Sequence, residues 1–514
     1  MEYTHLNEPN PGRLIESLRH LGYGNADAVA DLADNAIDAN ANAIFFRILS
    51  KKDGLPQIIV ADNGDGMNHA TLDQAMRLGS ESKRDRNTDL GYFGMGLVTA
   101  SLSISRACHV VTRDASGECW SSAWDIDFIK ERGFYKHLAS ATSEEIAALD
   151  EIIGQGHTGT MVVLSRCDNL QYKRLDYFAE KVLSNHLGRV FRYFLQTGDR
   201  TMTVNGTQVP VIDPLQLDNK DTEVLMDDNV PVTVEDAGGQ RTESVRVRIA
   251  LVPATSESDT DINRSMRTQG FYVMRNLREI KDAETLGFFT RHNDFNRVRG
   301  EIFLPGTLDP FAGIEFTKRQ VNFEQSFQDQ LGQIIRPTMK TIKRRGAQAR
   351  RVDMNPAQQE MHLIAAKAIA AKDKLLLKPK AQIEQRDAGD GDGDGALGSS
   401  VGRRNSRDRA NLNRTQAVES ALNCEIREER LGPNGQIYEC EMLGRKIILR
   451  YNVEHPFYQR FVADNANESR LVTVADFLIY SMACAELRML DDGAAEVVGN
   501  FKFVMSANLR MLLN

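Results

Sequence analysis

Residues Asp31 to Asn42 read DLADNAIDANAN, and this stretch constrains the chain more than any other. Ala28, Val29, Leu32, Ala33, Ala36, Ile37 and Ala39 recur near helical spacing and predict one apolar face. Asp31, Asp34, Asn35 and Asp38 gather on another side, because positions three and four apart are neighbours on a helix. Asp31 and Asn35 stand one turn apart. A carboxylate there can orient a water, and a carboxamide oxygen can ligate a hard divalent cation. An amphipathic helix with a solvated polar face has the same pattern, so this stretch alone leaves both readings open.

Three further motifs follow in order. After the apolar run Ile58-Ile59-Val60 comes ADNGDGM, a D-x-G-x-G pattern of Asp62, Gly64 and Gly66 followed by Met67. LGYFGMGLVTAS then supplies Gly91, Gly94 and Gly96 among Tyr92, Phe93, Met95 and Leu97, at the start of a helix-like stretch. In HTGTMVVLSR, Gly159-Thr160 precedes a β-branched strand. Glycines let a backbone approach a flat base closely, and glycines ahead of a helix expose N–H groups that can hold phosphates. The ordered set resembles the GHKL superfamily of ATPases, which includes gyrase B subunits, heat-shock chaperones, histidine kinases, MutL and MORC proteins. The resemblance covers roughly residues 10 to 340.

The resemblance implies an α+β fold. A GHKL (Bergerat) α/β sandwich ATPase domain is expected over residues 1–190, then a transducer domain of ribosomal S5-like type over 191–345. It implies that ATP and Mg²⁺ are bound. Asn35 would be the metal ligand, Asp62 would accept from the adenine amino group, and Thr160 would lie behind the base with a water. Asp38, Gly64, Gly66, Met67 and the Gly91–Leu97 stretch would line the pocket. Asp31 would orient and deprotonate the attacking water, where the family usually has glutamate. Aspartate is one methylene shorter, so slow turnover is expected. Relatives in the MORC-like branch often read G-R-F-G-x-G-x-K-T-A-S; here Tyr92 replaces the arginine and Val98 the lysine. Lys83 or Arg84, in the polar stretch Ser80–Asp89, is the substitute cation expected in a lid. Lys318, in FTKRQ, is the candidate for the transducer lysine that reaches the γ-phosphate. No Gly-Lys dipeptide occurs, which excludes a P-loop.

Length and composition bound the rest. A chain of 514 residues with 41% hydrophobic and 26% charged residues is expected to form two to four domains. No run of eighteen apolar residues occurs, so no membrane span is expected, nor is a secretory signal seen in MEYTHLNEPNPGR. The six cysteines are dispersed, which fits a reducing cytoplasm. A net charge of −8 argues against wholesale wrapping by nucleic acid. A local basic stretch, Lys340–Arg351, is nonetheless a candidate DNA contact, with a solvated face or dimer contact as the equal alternative.

Coarser features complete the reading. Asn25 or Asp27 is the expected cap of the main helix, Met67 to Gly79 reads as helix, and Ser103 to Thr112 as strand. Asn205-Gly206 signals a hairpin, with more strands at Val245–Val252, Gly270–Met274 and Glu301–Leu304. A helical extension (346–378), a flexible linker (379–414) and a small α+β domain (415–514) follow. Asp390, Asp392 and Asp394 open like an EF-hand loop, but Val401 stands where the last glutamate ligand belongs. His455 reads as structural. The functional expectation is Mg-dependent ATP binding and slow hydrolysis that closes a homodimeric MORC/MutL-like clamp, acting on DNA. The alternatives are a chaperone-like ATPase that remodels protein partners and a non-hydrolysing ATP-sensing scaffold.

Overall fold

The computed structural model describes residues 10–20, 24–51, 54–78, 89–90, 96–134, 136–236, 239–253, 268–291, 293–314, 321–350, 356–372, 376, 424–443, 446–465, 468–488 and 492–513. The chain forms two compact units, Met1–Lys343 and Arg344–Asn514. Lys83, Gly91, Tyr92, Phe93, Gly94, Met95, Lys318 and the acidic linker fall outside the described residues.

The first unit holds two sheets. One has eight strands: β1 (Ala43–Leu49), β2 (Gln57–Asp62), β3 (Ala107–Arg113), β4 (Cys119–Asp125), β5 (His137–Ser140), β6 (Gly159–Ser165), β7 (Thr201–Val204) and β8 (Thr207–Gln208). Their order is β5-β4-β3-β6-β2-β1-β7-β8, antiparallel except between β1 and β7. Strand alternation sends Ile44, Phe46 and Ile48 of β1 into one core. Above that face lie α1 (Pro11–Arg19), α2 (Asn25–Asp38), α4 (Gly96–Ile104) and the helical run Leu175–Val190; Ala28, Val29, Leu32, Ala33, Ala36 and Ile37 of α2 pack there. On the other face Leu149 and Ile153 of α6 (Ser143–Ile153) meet Ala61, Val111 and Met161.

Several local expectations change in the structure. Gly24, with no side-chain hydrogen bond, is the N-cap of α2; Asn25 lies inside the helix and bridges Asn169 O and Gln171 N. The stretch expected as strand from Ser103 begins as the end of α4, and β3 starts at Ala107. Ser103 and Ser105 satisfy their hydroxyls on nearby carbonyls, so the turn needs no apolar break. The helix expected from Met67 to Gly79 is the shorter α3 (His69–Ala75), capped by Asn68. The eight-stranded sheet also takes in residues 201–208, beyond the boundary expected at residue 190.

The second sheet contains β9 (Glu223–Asp236), β10 (Gly239–Leu251), β11 (Gly270–Arg275), β12 (Arg278–Glu284) and β13 (Val298–Leu304), ordered β12-β11-β13-β10-β9. β11 runs parallel to β13; the other pairs are antiparallel. Phe327, Leu331, Ile335, Met339 and Ile342 of α11 (Gln325–Arg350) share one face by their spacing and pack on this sheet. Lys340, Lys343, Arg344 and Arg345 are exposed on the same helix.

The second unit carries a three-stranded sheet: β14 (Cys424–Glu429), β15 (Tyr438–Leu443) and β16 (Lys446–Asn452), ordered β14-β16-β15. Its core also takes side chains from the helices Pro356–Ala371, Ser469–Glu486 and Asp492–Leu513. His455 is fully buried; its Nδ1 accepts from Phe457 N, and its Nε2 lies 3.0 Å from Ser506 O. Among the described residues no helix is long and apolar enough to cross a membrane.

Candidate nucleotide site

Two of the sequence motifs are joined by the backbone. α2 is followed, after its cap Ala39, by Asn40, whose φ of 61° is the left-handed conformation that asparagine tolerates. There the Asp65 N–H donates to Ala39 O (2.8 Å), and Asn40 Nδ2 donates to Asp65 Oδ2 (2.7 Å). Gly64 and Gly66 are required for this junction. A Cβ on Gly64 would lie 2.5 Å from Ala39 O, and one on Gly66, at φ +69°, only 1.9 Å from Arg113 O. The Asp62 loop is thus pressed against the end of the helix that carries Asp31 and Asn35.

Asp62 closes β2 and is 7% exposed. Gly64 N donates to its Oδ1 at 2.9 Å. Burial pushes this carboxyl up to about 6, against the lowering pull of the Gly64 and Thr160 backbone N–H groups. A carboxylate so desolvated is held ready for a donor. Thr160 sits directly opposite on β6 and is also buried. Its neighbour Gly159 could carry no side chain, since a Cβ would lie 2.0 Å from Asp62 O. Thr112 of β3 ties the cluster together: its Oγ1 accepts from Met67 N (2.9 Å) and lies 3.0 Å from Thr160 Oγ1. The sequence reading missed Thr112, because a threonine inside a strand carries no signal of its own.

On α2, Asn35 Nδ2 donates to Asp31 O at 3.1 Å. The amide nitrogen is committed to the helix, which leaves Oδ1 as the atom suited to a cation. Among the described residues no group of three or more His, Cys, Asp or Glu side chains could hold a metal. Asp38 Oδ1 accepts from Leu90 N (2.8 Å) and so anchors the residue just before the glycine cluster. Gly96 and Leu97 open α4 beyond the cluster, and a Cβ on Gly96 would meet no protein atom within 4 Å.

Asp31 and Asp34 are both buried, and both meet Arg278 of β12. Arg278 Nη2 lies 2.9 Å from Asp31 Oδ1 and its Nε 3.1 Å from Asp34 Oδ1. Burial by itself would favour a neutral guanidinium, but Asp34 and Asp31 hold its proton more firmly than usual. Next to it Arg275 donates to Asp89 O (2.8 Å) and pairs with Asp309. Arg192, fully buried, bridges Glu279 and Glu301 from the other side. The second sheet therefore meets α2 and the helix Arg192–Gln196 through ionic contacts. Neither Arg275 nor Arg278 was singled out in the sequence; a weak signal was the RNLR turn between two strands.

Residues 23–160 match the family described as histidine kinase-, DNA gyrase B-, and HSP90-like ATPase. Protein MICRORCHIDIA 2 of Arabidopsis thaliana is 35% identical over 94 residues, 18% of this chain and 15% of that protein. Protein MICRORCHIDIA 4 of the same plant is 31% identical over 123 residues, 23% of this chain and 15% of that protein. The matched segments thus span only 15% of the length of these two relatives. A crystal structure of the N-terminal domain of a DNA repair protein is similar with a TM-score of 0.38 and 19% identity, covering 63% of this chain and 95% of that one.

Proposed function

Because residues 23–160 are a domain of the histidine kinase-, DNA gyrase B- and HSP90-like ATPase family, we propose that this chain binds ATP with Mg²⁺ and hydrolyses it slowly. The observation that supports this best is Asp62: a buried carboxylate, raised to about 6, between glycines that tolerate no side chain. It accepts the adenine amino group. Thr160 and Thr112 fix the strands behind it, and the Met67 N–H is tied to Thr112. Asn35 holds the metal, and the Gly91–Leu97 segment, which follows the Leu90 that Asp38 holds, receives the phosphates on its backbone N–H groups. Bound Mg²⁺ supplies charge neutralisation on the phosphate oxygens.

Asp31 orients the attacking water and takes its proton. Lys318 and Lys83 are the candidate cations for the γ-phosphate side. Hydrolysis reopens a homodimer that ATP closes, and the exposed cations of α11 (Lys340, Lys343, Arg344, Arg345) give the clamp a contact for the DNA phosphate backbone. One observation favours a second reading, a non-hydrolysing ATP sensor: the Asp31 carboxylate is already engaged by Arg278. Steady-state ATP turnover by the purified chain separates the two. Calorimetry with a non-hydrolysable analogue, with and without magnesium, tests the site itself. Absence of saturable binding would sink both readings. A gel shift across a salt series, with and without the analogue, tests DNA.

A further inference from the structure

The hairpin that carries Arg278 is shaped to reach α2. β11 and β12 are joined through Asn276 and Leu277, with φ of 48° and 66°, and Arg275 pairs with Arg278 across the turn. Leu277 adopts a left-handed conformation that suits glycine or asparagine, while its side chain stays 48% exposed. Burial of Leu277 does not repay that strain. What the turn achieves is to set two arginines side by side against the ATPase domain.

Arg278 engages three nitrogens at once: Nη2 with Asp31, Nε with Asp34, and Nη1 donating to Glu279 O (3.1 Å). Only a planar fork can do this; lysine cannot. A cavity of about 120 Å³ borders the pair, lined by Asp27, Asp31, His186, Arg278, Glu279 and Asp282 among others. We propose that Arg278 is a latch on Asp31, an inference that rests on the reading of Asp31 as the group that orients water. While the pair stands, the guanidinium against Asp31 Oδ1 offsets the negative charge that would draw a proton from water. Turnover waits for the β11–β12 hairpin to shift. Asp27, Glu279 and Asp282 line the same cavity beside their own partners His186 and Arg189, so a displaced guanidinium stays close to carboxylates that it would share with those cations. The second sheet thereby sets the rate at which the first one works.

The test uses the full-length chain. Arg278→Lys keeps a cation and gives up the fork. It is expected to raise kcat about five-fold, while affinity for a non-hydrolysable ATP analogue with magnesium stays within about two-fold. Asp34→Asn weakens the other arm without touching Arg278 or Asp31, and is expected to act in the same direction. Asp31→Asn is the reference: turnover is lost in it, and Arg278→Lys added to it restores nothing. An unchanged or lower kcat in both single variants, with analogue affinity retained, overturns the latch. Loss of analogue binding in both overturns it as well, since Arg278 would then be a packing residue. Continued hydrolysis by Asp31→Asn is a different failure: it removes the reading of Asp31 itself, and the latch with it.

Discussion

Asp62 on β2 and Thr160 on β6 are register partners in one antiparallel ladder, although they come from motifs far apart in the chain. Pairing fixes their spacing to that of adjacent strands, so the carboxylate and the hydroxyl move as a unit. The glycine that precedes Thr160 lets the Asp62 backbone approach it.

Removing the carboxylate is therefore expected to remove adenine reading. Asp62→Ala should weaken nucleotide binding about ten- to a hundred-fold, the loss of one charge-assisted hydrogen bond of roughly 1.5–3 kcal/mol. Calorimetry measures this. Folding should survive, because the variant also relieves a desolvated carboxylate. Wild-type affinity in Asp62→Ala would remove this residue from the site.

The same carboxyl predicts a pH dependence. Its folded value, about 6, lies above the ordinary 3.8, so the free protein favours the protonated form. A donor from adenine favours the ionised form. Binding should thus release protons near pH 6, and affinity should fall as pH drops through that value. For stability the sign is the reverse: burying the ionised group costs stability above pH 6, and that cost fades as pH falls from 6 towards 3.8. Calorimetry in buffers of different ionisation enthalpy checks the proton count.

Gly66→Ala should lower stability by about 1–3 kcal/mol, through a left-handed backbone and a Cβ driven into Arg113 O. Thermal melting would show it. The displaced Asp62 loop should weaken nucleotide binding as well.

Asn35→Ala should lose the magnesium-dependent part of analogue affinity and keep the part seen in chelator. Equal magnesium dependence in variant and wild type would count against Asn35 as a ligand.

In the second unit, His362 Nδ1 lies 2.9 Å from Asp476 and its Nε2 3.5 Å from Glu428. Burial alone would lower this imidazole, but the two carboxylates raise it to about 9. The stabilisation is complete below the ordinary value of 6.5 and is lost as pH rises through 9. Protection against hydrogen exchange at Tyr438–Asn452 in the full chain, relative to the base-catalysed rate of an unstructured peptide at the same pH, should therefore fall over that range. His362→Ala, which strands buried carboxylates, should cost about 3–5 kcal/mol.

The sequence by itself determined the parts of this protein that depend on local chemistry. The α2 stripe, the glycines at positions 64, 66 and 159, and the Asn205-Gly206 turn were legible because helix period, close backbone approach and positive φ act within a few residues. Strands β9 and β12 were not: the alternation of Val230, Val232 and Val234 covers only part of the long β9, and β12 buries the charged Arg278 and Glu279, which polarity would place at the surface. Thr112 and Arg278 were hidden for a stronger reason. Each matters only through what lies across a ladder or on a helix far away in the chain, and an ordinary threonine or arginine gives no sign of that partner. Tertiary structure alone decided that a hairpin in the second sheet would deliver a guanidinium onto Asp31 and Asp34. Burial there makes an ion pair obligatory, and chain proximity does not reveal it.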